Sequence, residues 1–185
     1  MIDEHTLPAW RTALWDLLAA GVADGDHPCR TGVLATTGID GAPQARWVVL
    51  RRADARLAEV EVHTDSASEK IAELTRDPRA ALSFWSPGDA VQLRLTLTMQ
   101  ILRGDAVQDR WARIPPAGRM AYGGEPAPGT TIPAPEDHTP GIRRARFCAL
   151  VGTITRVDMV HLGQDRHRRA LFAGHDGFAG RWLAP

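Results

Sequence analysis

Lysine is almost missing from this chain. Of its 22 basic residues only Lys70 is a lysine, and 22 acidic residues balance the total to zero. A chain without excess charge has no global field for nucleic acid or an anionic membrane surface, so neither is an expected partner. Cysteine is scarce too. Cys29 and Cys148 lie far apart with no metal-ligand spacing around them, which excludes a disulfide framework and leaves two expected free thiols. Seven histidines are scattered without pairing to each other or to cysteine, so no metal site is expected. Apolar runs fall far short of the ~20 residues that cross a bilayer. No charged-then-apolar leader opens the sequence, and the protein is expected to be soluble and cytoplasmic. Nucleotide-loop signatures are absent, as is the Gly-x-Ser-x-Gly turn that presents a nucleophilic serine. What remains is a protein that borrows its reactivity from a cofactor and supplies binding, orientation and electrostatics.

What is present is enough for one domain over residues 1–185, since 44% of the residues are hydrophobic. Residues 1–24 should hold an N-terminal helix from Pro8 to about Gly21, with Trp10, Leu14, Leu17 and Leu18 at helical spacing. Strands are expected over Thr31–Thr37, Gln44–Arg52, Val60–Thr64, Ala80–Trp85, residues 91–101, Arg146–Val157, Arg166–Phe172 and Phe178–Leu183. The segment from Val91 to Ile101 alternates most cleanly and predicts a long half-buried strand. Short helical turns should cover Gln108–Ile114 and Ala117–Tyr122. Residues 123–145 form a loop rich in proline and glycine, expected to act as a lid, an arm on a partner or a disordered stretch. The element order predicts a mainly β fold, an antiparallel β-barrel with peripheral helices.

Chemistry concentrates between Arg46 and Lys70. Ser66-x-x-Glu69 fits a capping box, so a helix should run from about Ala67 to Arg76 and stop at Asp77-Pro78. Its N-terminus, with Thr64, Ser66, Ser68 and Lys70, offers hydroxyls and a cation to an anion. An ordinary capped helix with a solvated lysine is the other reading. The preceding strand carries apolar residues on both faces, Trp47 and Val49 against Val48 and Leu50, and so reads as mostly buried. Strict alternation puts Arg46 and Arg51 on opposite faces, and only a bulge or a strand end lets both meet one ligand. Pairing of these arginines with Glu59 or Glu61 is equally open. On the long strand Gln92 and Arg94 share a face, where one can meet a heteroaromatic edge and the other an anion.

The ordered set Arg46-x-Val48-x-Leu50-Arg51, His63-Thr64-Asp65-x-x-Ser68-x-Lys70, Phe84-Trp85, Gln92-x-Arg94 and Leu183-Ala184-Pro185 resembles the pyridoxamine 5′-phosphate oxidase family. The resemblance covers residues 30 to 104 and, more weakly, 146 to 185. It implies an FMN-binding split barrel of antiparallel Greek-key type, a homodimer with the cofactor at its interface, and an FMN-dependent oxidoreductase acting on an unidentified small molecule. It implies FMN contacts from Arg46, Trp47, Val48, Val49, Arg51, Thr64, Ser66, Ser68, Lys70, Gln92, Arg94 and Arg169, with Lys70, Ser68 and Arg46 on the phosphate. His167 and Arg169 become candidates to orient substrate, while the catalytic group stays unknown. The same fold also serves non-catalytic flavin or haem binding and deazaflavin-dependent reduction.

The departures bear on substrate. Glu69 stands where the family tends to carry arginine, Arg51 where it has lysine, and Trp111 to Arg119 do not reproduce its substrate-phosphate residues. Val160 and Asp165 fall near its flavin-contacting tryptophan and its substrate arginine, and Trp182 is expected in the core.

Overall fold

The computed structural model describes residues 6–185. Eight antiparallel strands form one sheet: β1 (Thr31–Thr37), β2 (Pro43–Asp54), β3 (Glu59–Asp65), β4 (Arg79–Ser86), β5 (Val91–Leu102), β6 (Phe147–Leu162), β7 (His167–Ala173) and β8 (Arg181–Leu183). Their order is β3-β2-β1-β4-β5-β6-β7-β8, and a further β3–β6 pairing closes the first six into a barrel. Because β4 returns beside β1 after the β1-β2-β3 meander, the first four strands form the expected Greek key. Alternation explains the filling: Leu34, Leu50, Val62, Leu82, Leu93, Leu95 and Leu97 point inward and are almost fully buried.

Helix α1 (Leu7–Ala23) closes one mouth of the barrel. Thr6 caps it, and Trp10, Leu14, Leu17, Leu18 and Gly21 form its buried stripe. Residues 1–5 of the expected N-terminal segment lie outside the described residues. Arg30 ties the helix to the barrel by donating to the carbonyls of Val22 (3.0 Å) and Leu50 (3.3 Å). Helix α2 (Glu69–Arg76) packs on β1 and β5 at the opposite mouth. Beyond β5, α3 (Gln108–Arg113) and α4 (Pro116–Arg119) flank the outer face of β3 and β6. There Val107, Tyr122, Phe147 and Ala149 make a second, smaller core, joined by Trp111 and Ile114.

Four expectations need correction. The helix carrying Lys70 starts at Glu69, and no capping box forms. Asp65 Oδ1 takes the Ala67 N–H at 2.8 Å, the Ser66 N–H goes to the Arg146 carbonyl at 2.6 Å, and Ser68 becomes the cap residue without a side-chain cap bond. Strand β2 is buried on one face only, because around Trp47, 73% exposed, no described residue covers its outer side. Strand β6 runs five residues past Val157 and carries a bulge at Thr155, between the pairs Thr96–Arg156 and Leu97–Ile154. Trp182 is 42% exposed and stands edge-on against Trp10 at 5.0 Å, outside the core.

The proline-rich segment is a tethered strap. Gly123, at φ 110°, donates its N–H to Asp65 Oδ2 at 2.8 Å. Glu125 and Thr139 exchange backbone hydrogen bonds of 2.9 and 2.8 Å, and Arg143 pairs with Glu125. At Gly129 a Cβ would come within 3.0 Å of Glu69 Oε1, so the strap passes directly over the start of α2.

Candidate functional site

The start of α2 gathers the sole lysine and two hydroxyls. Lys70 Nζ donates to Thr64 Oγ1 at 3.0 Å, Thr64 and Ser68 hydroxyls lie 3.0 Å apart, and Ser68 Oγ donates to the Asp65 carbonyl at 2.8 Å. These bonds run in one direction, ammonium to hydroxyl to hydroxyl to carbonyl, so each hydroxyl keeps a lone pair for an incoming donor. Thr64 and Ser68 are buried. Lys70 has no carboxylate partner among the described residues. Burial, and next the charge of Arg46, hold its ammonium below the ordinary lysine range. A second negative charge placed here would relieve both effects.

Arg46 reaches the same region from β2 but is already engaged. Its Nη2 meets Glu73 Oε1 and Oε2 at 3.1 and 2.9 Å, its Nη1 donates to Thr36, and the Thr36 hydroxyl donates to Glu73 at 2.6 Å. Sequence reading missed Glu73, a charged residue 4% exposed on the buried side of a short helix. Removing it in Glu73→Ala leaves Arg46 uncompensated beside Lys70. Because Arg46 keeps 22% of its side-chain surface, solvent recovers part of the loss. We expect destabilisation of about 2 kcal/mol in a urea titration.

A bulge is present at Arg51, but it does not bring Arg51 and Arg46 to one side. Between Leu50–Val62 and Arg52–Glu61 the β2–β3 register shifts, and Arg51 is the extra residue. Arg46 points to the barrel interior with Leu34 and Leu50, whereas Arg51 leaves on the outer side and bonds the Tyr122 hydroxyl. Val48 packs against the core, while Trp47 and Val49 face outward. Arg52, not Arg46, pairs with Glu59 (2.7 Å) and Glu61 (3.5 Å). Ser66 donates its backbone N–H to the Arg146 carbonyl, just before β6, and lies beside the cradle.

The remaining candidates cluster elsewhere. Register aligns Trp47, Val33, Ser83, Arg94 and Asp158 in one outward row, and Trp85, Gln92, Val160 and Arg169 in the next. Asp158, also missed, is 4% exposed and joins two candidates: Arg94 Nη2 reaches it at 2.6 Å, and Arg169 reaches it at 2.9 and 2.7 Å. A hydrogen bond from Arg169 holds the Asp158 carboxyl below the usual range against the opposing effect of burial. His167 stands exposed at the start of β7. The two clusters lie on opposite sides of the sheet: Arg46 reaches the Lys70 group from the inward side, in register with buried Leu34, whereas Gln92 and Arg94 stand on the outward rows.

A third group lies on the outer side of β3. Glu61, 3% exposed, accepts from His63 Nε2 at 2.9 Å and from Arg110 at 2.9 and 3.0 Å. Burial would raise its carboxyl, but hydrogen bonds from His63 and Arg110 outweigh it and hold the group low. Among the described residues no cluster of three or more metal-ligating side chains occurs, and no helix is long and apolar enough to cross a membrane.

A closed six-stranded antiparallel barrel, with a lysine and hydroxyls at a helix start near one mouth and an uncovered outer sheet face, defines a split-barrel protein. The pyridoxamine 5′-phosphate oxidase family model matches residues 23–132, more than half of the sequence, and the chain belongs to that family. It is 38% identical over 80 residues to a pyridoxine/pyridoxamine 5′-phosphate oxidase of Anaeromyxobacter dehalogenans strain 2CP-C, a match spanning 43% of this chain and 39% of that protein. Among solved structures it is similar to a pyridoxamine 5′-phosphate oxidase-related, FMN-binding protein of Nostoc punctiforme PCC 73102. That likeness has a TM-score of 0.77 and 23% identity, covering 95% of this chain and 97% of that one. It is also similar to PhzG of Burkholderia lata 383, solved with tetrahydrophenazine-1-carboxylic acid, at a TM-score of 0.72 and 22% identity, covering 99% and 95%. These two likenesses show the fold.

Proposed function

We propose that the protein is a homodimeric FMN-dependent oxidoreductase acting on a small molecule. The observation that carries the reading is Lys70: the one lysine, desolvated, bonded only to a hydroxyl, and placed at a helix start in a family that has an FMN-binding member among its structural neighbours. The donors present fit a phosphate monoester. Lys70 supplies the charge, Arg46 adds a partly neutralised cation, and the Thr64 and Ser68 hydroxyls donate to the phosphate only by turning from their present acceptors. The outward cluster fits the other end of the cofactor, with Gln92 for the polar edge of a ring, Trp47 for apolar contact and Arg94 and Arg169 for charge. When bound, flavin would supply the capacity to accept and return a hydride.

The opposite facing of the two clusters supports the dimer. With the barrel wall between the inward Arg46 and the outward Gln92, each site would join the Lys70 cluster of one copy to the Gln92 cluster of another. The uncovered face suits a second copy, because Val33 and Ser83 lie between Trp47 and Trp85, 73% and 46% exposed, and the small Ala45, Ala35 and Ala81 form the next outward row. Two buried thiols suit a reducing cytoplasm.

The test is the visible absorption spectrum of the purified protein together with the mass of whatever heat releases. Flavin bands and an FMN mass are expected, and a colourless protein that takes up no added FMN would end the reading. Asp158→Asn should separate the outward cluster from stability. Both arginines are a third or more exposed, so unfolding free energy should change by less than about 1 kcal/mol. FMN affinity should fall about tenfold, read by flavin fluorescence, because Arg94 and Arg169 lose their shared anchor.

A further inference from the structure

The strap between α4 and β6 has both feet on the turn that carries Lys70. Asp65, 6% exposed, takes the Gly123 N–H on Oδ2 at 2.8 Å and Arg146 Nε on Oδ1 at 2.8 Å, so one carboxylate holds the beginning and the end of the strap. The same Oδ1 accepts the Ala67 N–H, and the Arg146 carbonyl accepts the Ser66 N–H. Above the feet the two sides pair with each other. Arg143 donates its N–H to the Tyr122 carbonyl at 2.9 Å, and Glu125 and Thr139 exchange both backbone bonds. A Cβ at Gly141 would overlap the Gly123 carbonyl oxygen, so the sides close this far only with glycine. The tip turns where Thr130 donates its N–H to the Ala127 carbonyl at 3.1 Å, and there Gly129 lies against Glu69, the first residue of α2. The segment from Gly123 to Gly129 thus runs from Asp65 to Glu69, across the helix start.

Glu69 puts a negative charge at the edge of a site for an anion. It is exposed and has no cation partner among the described residues, since Arg46 is held by Glu73 and Arg76 bonds the Ile39 carbonyl. Beside it a cavity of about 460 Å³ opens between α2 and the β1–β2 turn, and the charged residues lining it are all acidic: Asp40, Glu69 and Glu73. An anion at Lys70 is therefore roofed by the strap and flanked by carboxylates. A phosphate monoester places both its charges beside Lys70. A pyrophosphate moves one of them outward, where it meets the strap backbone or the Glu69 charge.

We propose that Glu69 and the strap from Gly123 to Arg146 are the specificity determinants of this site, admitting a flavin that ends in a phosphate monoester and turning away one extended through a pyrophosphate. The assignment rests on the flavin reading. Asp65 is a positioning residue within it, acting through the strap that it holds and not on the ligand.

Riboflavin, FMN and FAD are the probes, because they share one ring system and end in a hydroxyl, a monoester and a pyrophosphate-linked nucleoside. Binding to the full chain is read by equilibrium dialysis with flavin absorbance. In the parent, FMN should bind about 100-fold more tightly than FAD and than riboflavin. Replacing residues 126–138 with Asn-Gly removes the tip but keeps the feet and the Glu125–Thr139 pair, which a two-residue turn can join. In that variant FAD should gain about tenfold while FMN changes by less than about threefold. Glu69→Gln alters an exposed side chain and should keep the fold. It should raise FAD affinity about threefold at low salt, a gain that shrinks at 1 M salt, where screening acts within ~3 Å. Narrowing of the FMN-to-FAD ratio in either variant supports the element altered. FAD or riboflavin binding the parent as tightly as FMN overturns the proposal, as does a ratio that neither variant narrows. Either of those results with FMN still bound leaves the flavin reading in place, whereas failure of all three flavins to bind ends both.

Discussion

Lys70→Ala is expected to weaken FMN binding by about 100-fold, the span of a lost charge-assisted hydrogen bond of up to about 3 kcal/mol. No other lysine exists to substitute, and the nearest cation, Arg46, is held by Glu73 at 2.9 and 3.1 Å. In the free protein Lys70 costs stability, because burial and the Arg46 charge disfavour its ammonium. The alanine variant should therefore fold at least as stably as the parent while losing its ligand. That combination separates a binding role from a structural one. Fluorescence titration with FMN and a urea titration on the same sample read the two quantities. Undiminished FMN affinity would remove α2 from the phosphate site.

The second large effect is alkaline destabilisation centred on the two thiols. Burial pushes Cys29 from 9.0 up to about 11, assisted by the charge of Asp89, and pushes Cys148 to about 11 against the opposing charge of Arg103. An unfolded thiol gives up its proton near 9, so between pH 9 and 11 the folded state binds more protons than the unfolded state. Stability contributed by the thiols is whole below pH 9 and falls by about 1.4 kcal/mol per thiol for each further unit. By pH 11 the two together remove about 5 kcal/mol, which is comparable with the whole stability of many domains. Lys70 acts oppositely in the window below its ordinary 10.5, since its lowered folded value makes the unfolded state the greater proton binder there. One lysine against two thiols leaves the net slope negative. Urea midpoints measured from pH 8 to 11 should fall steeply in the parent and much less in a Cys29→Ala, Cys148→Ala variant. Equal slopes in the two proteins would show that other groups control alkaline unfolding.

Both effects depend on features that the sequence displays to different degrees. The alternation of Val91 to Ile101 marks β5 within a residue of its observed end, because a strand between core and solvent must sort its side chains by parity. Lys70 at a helix start was equally visible, since it follows from local spacing. The helix boundary was not. Ser66-x-x-Glu69 matches a capping box, but the Ser66 N–H that Glu69 would accept is taken by the Arg146 carbonyl, from a segment remote in sequence. Periodicity also overstated the burial of β2, because apolar residues on both faces look the same whether a face meets the chain's own core or is left uncovered.

By itself the sequence determined a mainly β fold, the inward set of leucines, the lysine and hydroxyls near one barrel mouth, and membership of a family through the order of short motifs. Each of these follows from the identity of near neighbours, which local stereochemistry converts into strand, turn or helix. Tertiary structure alone decided how the charges pair. Arg46 meets Glu73 across 27 residues, Arg110 meets Glu61 across 49, and Arg94 meets Asp158 across 64. Periodicity reports the face on which a guanidinium lies, but the carboxylate opposite it is set by strand register and barrel closure. Those depend on the whole sheet, and they leave Lys70 without a carboxylate partner among the described residues.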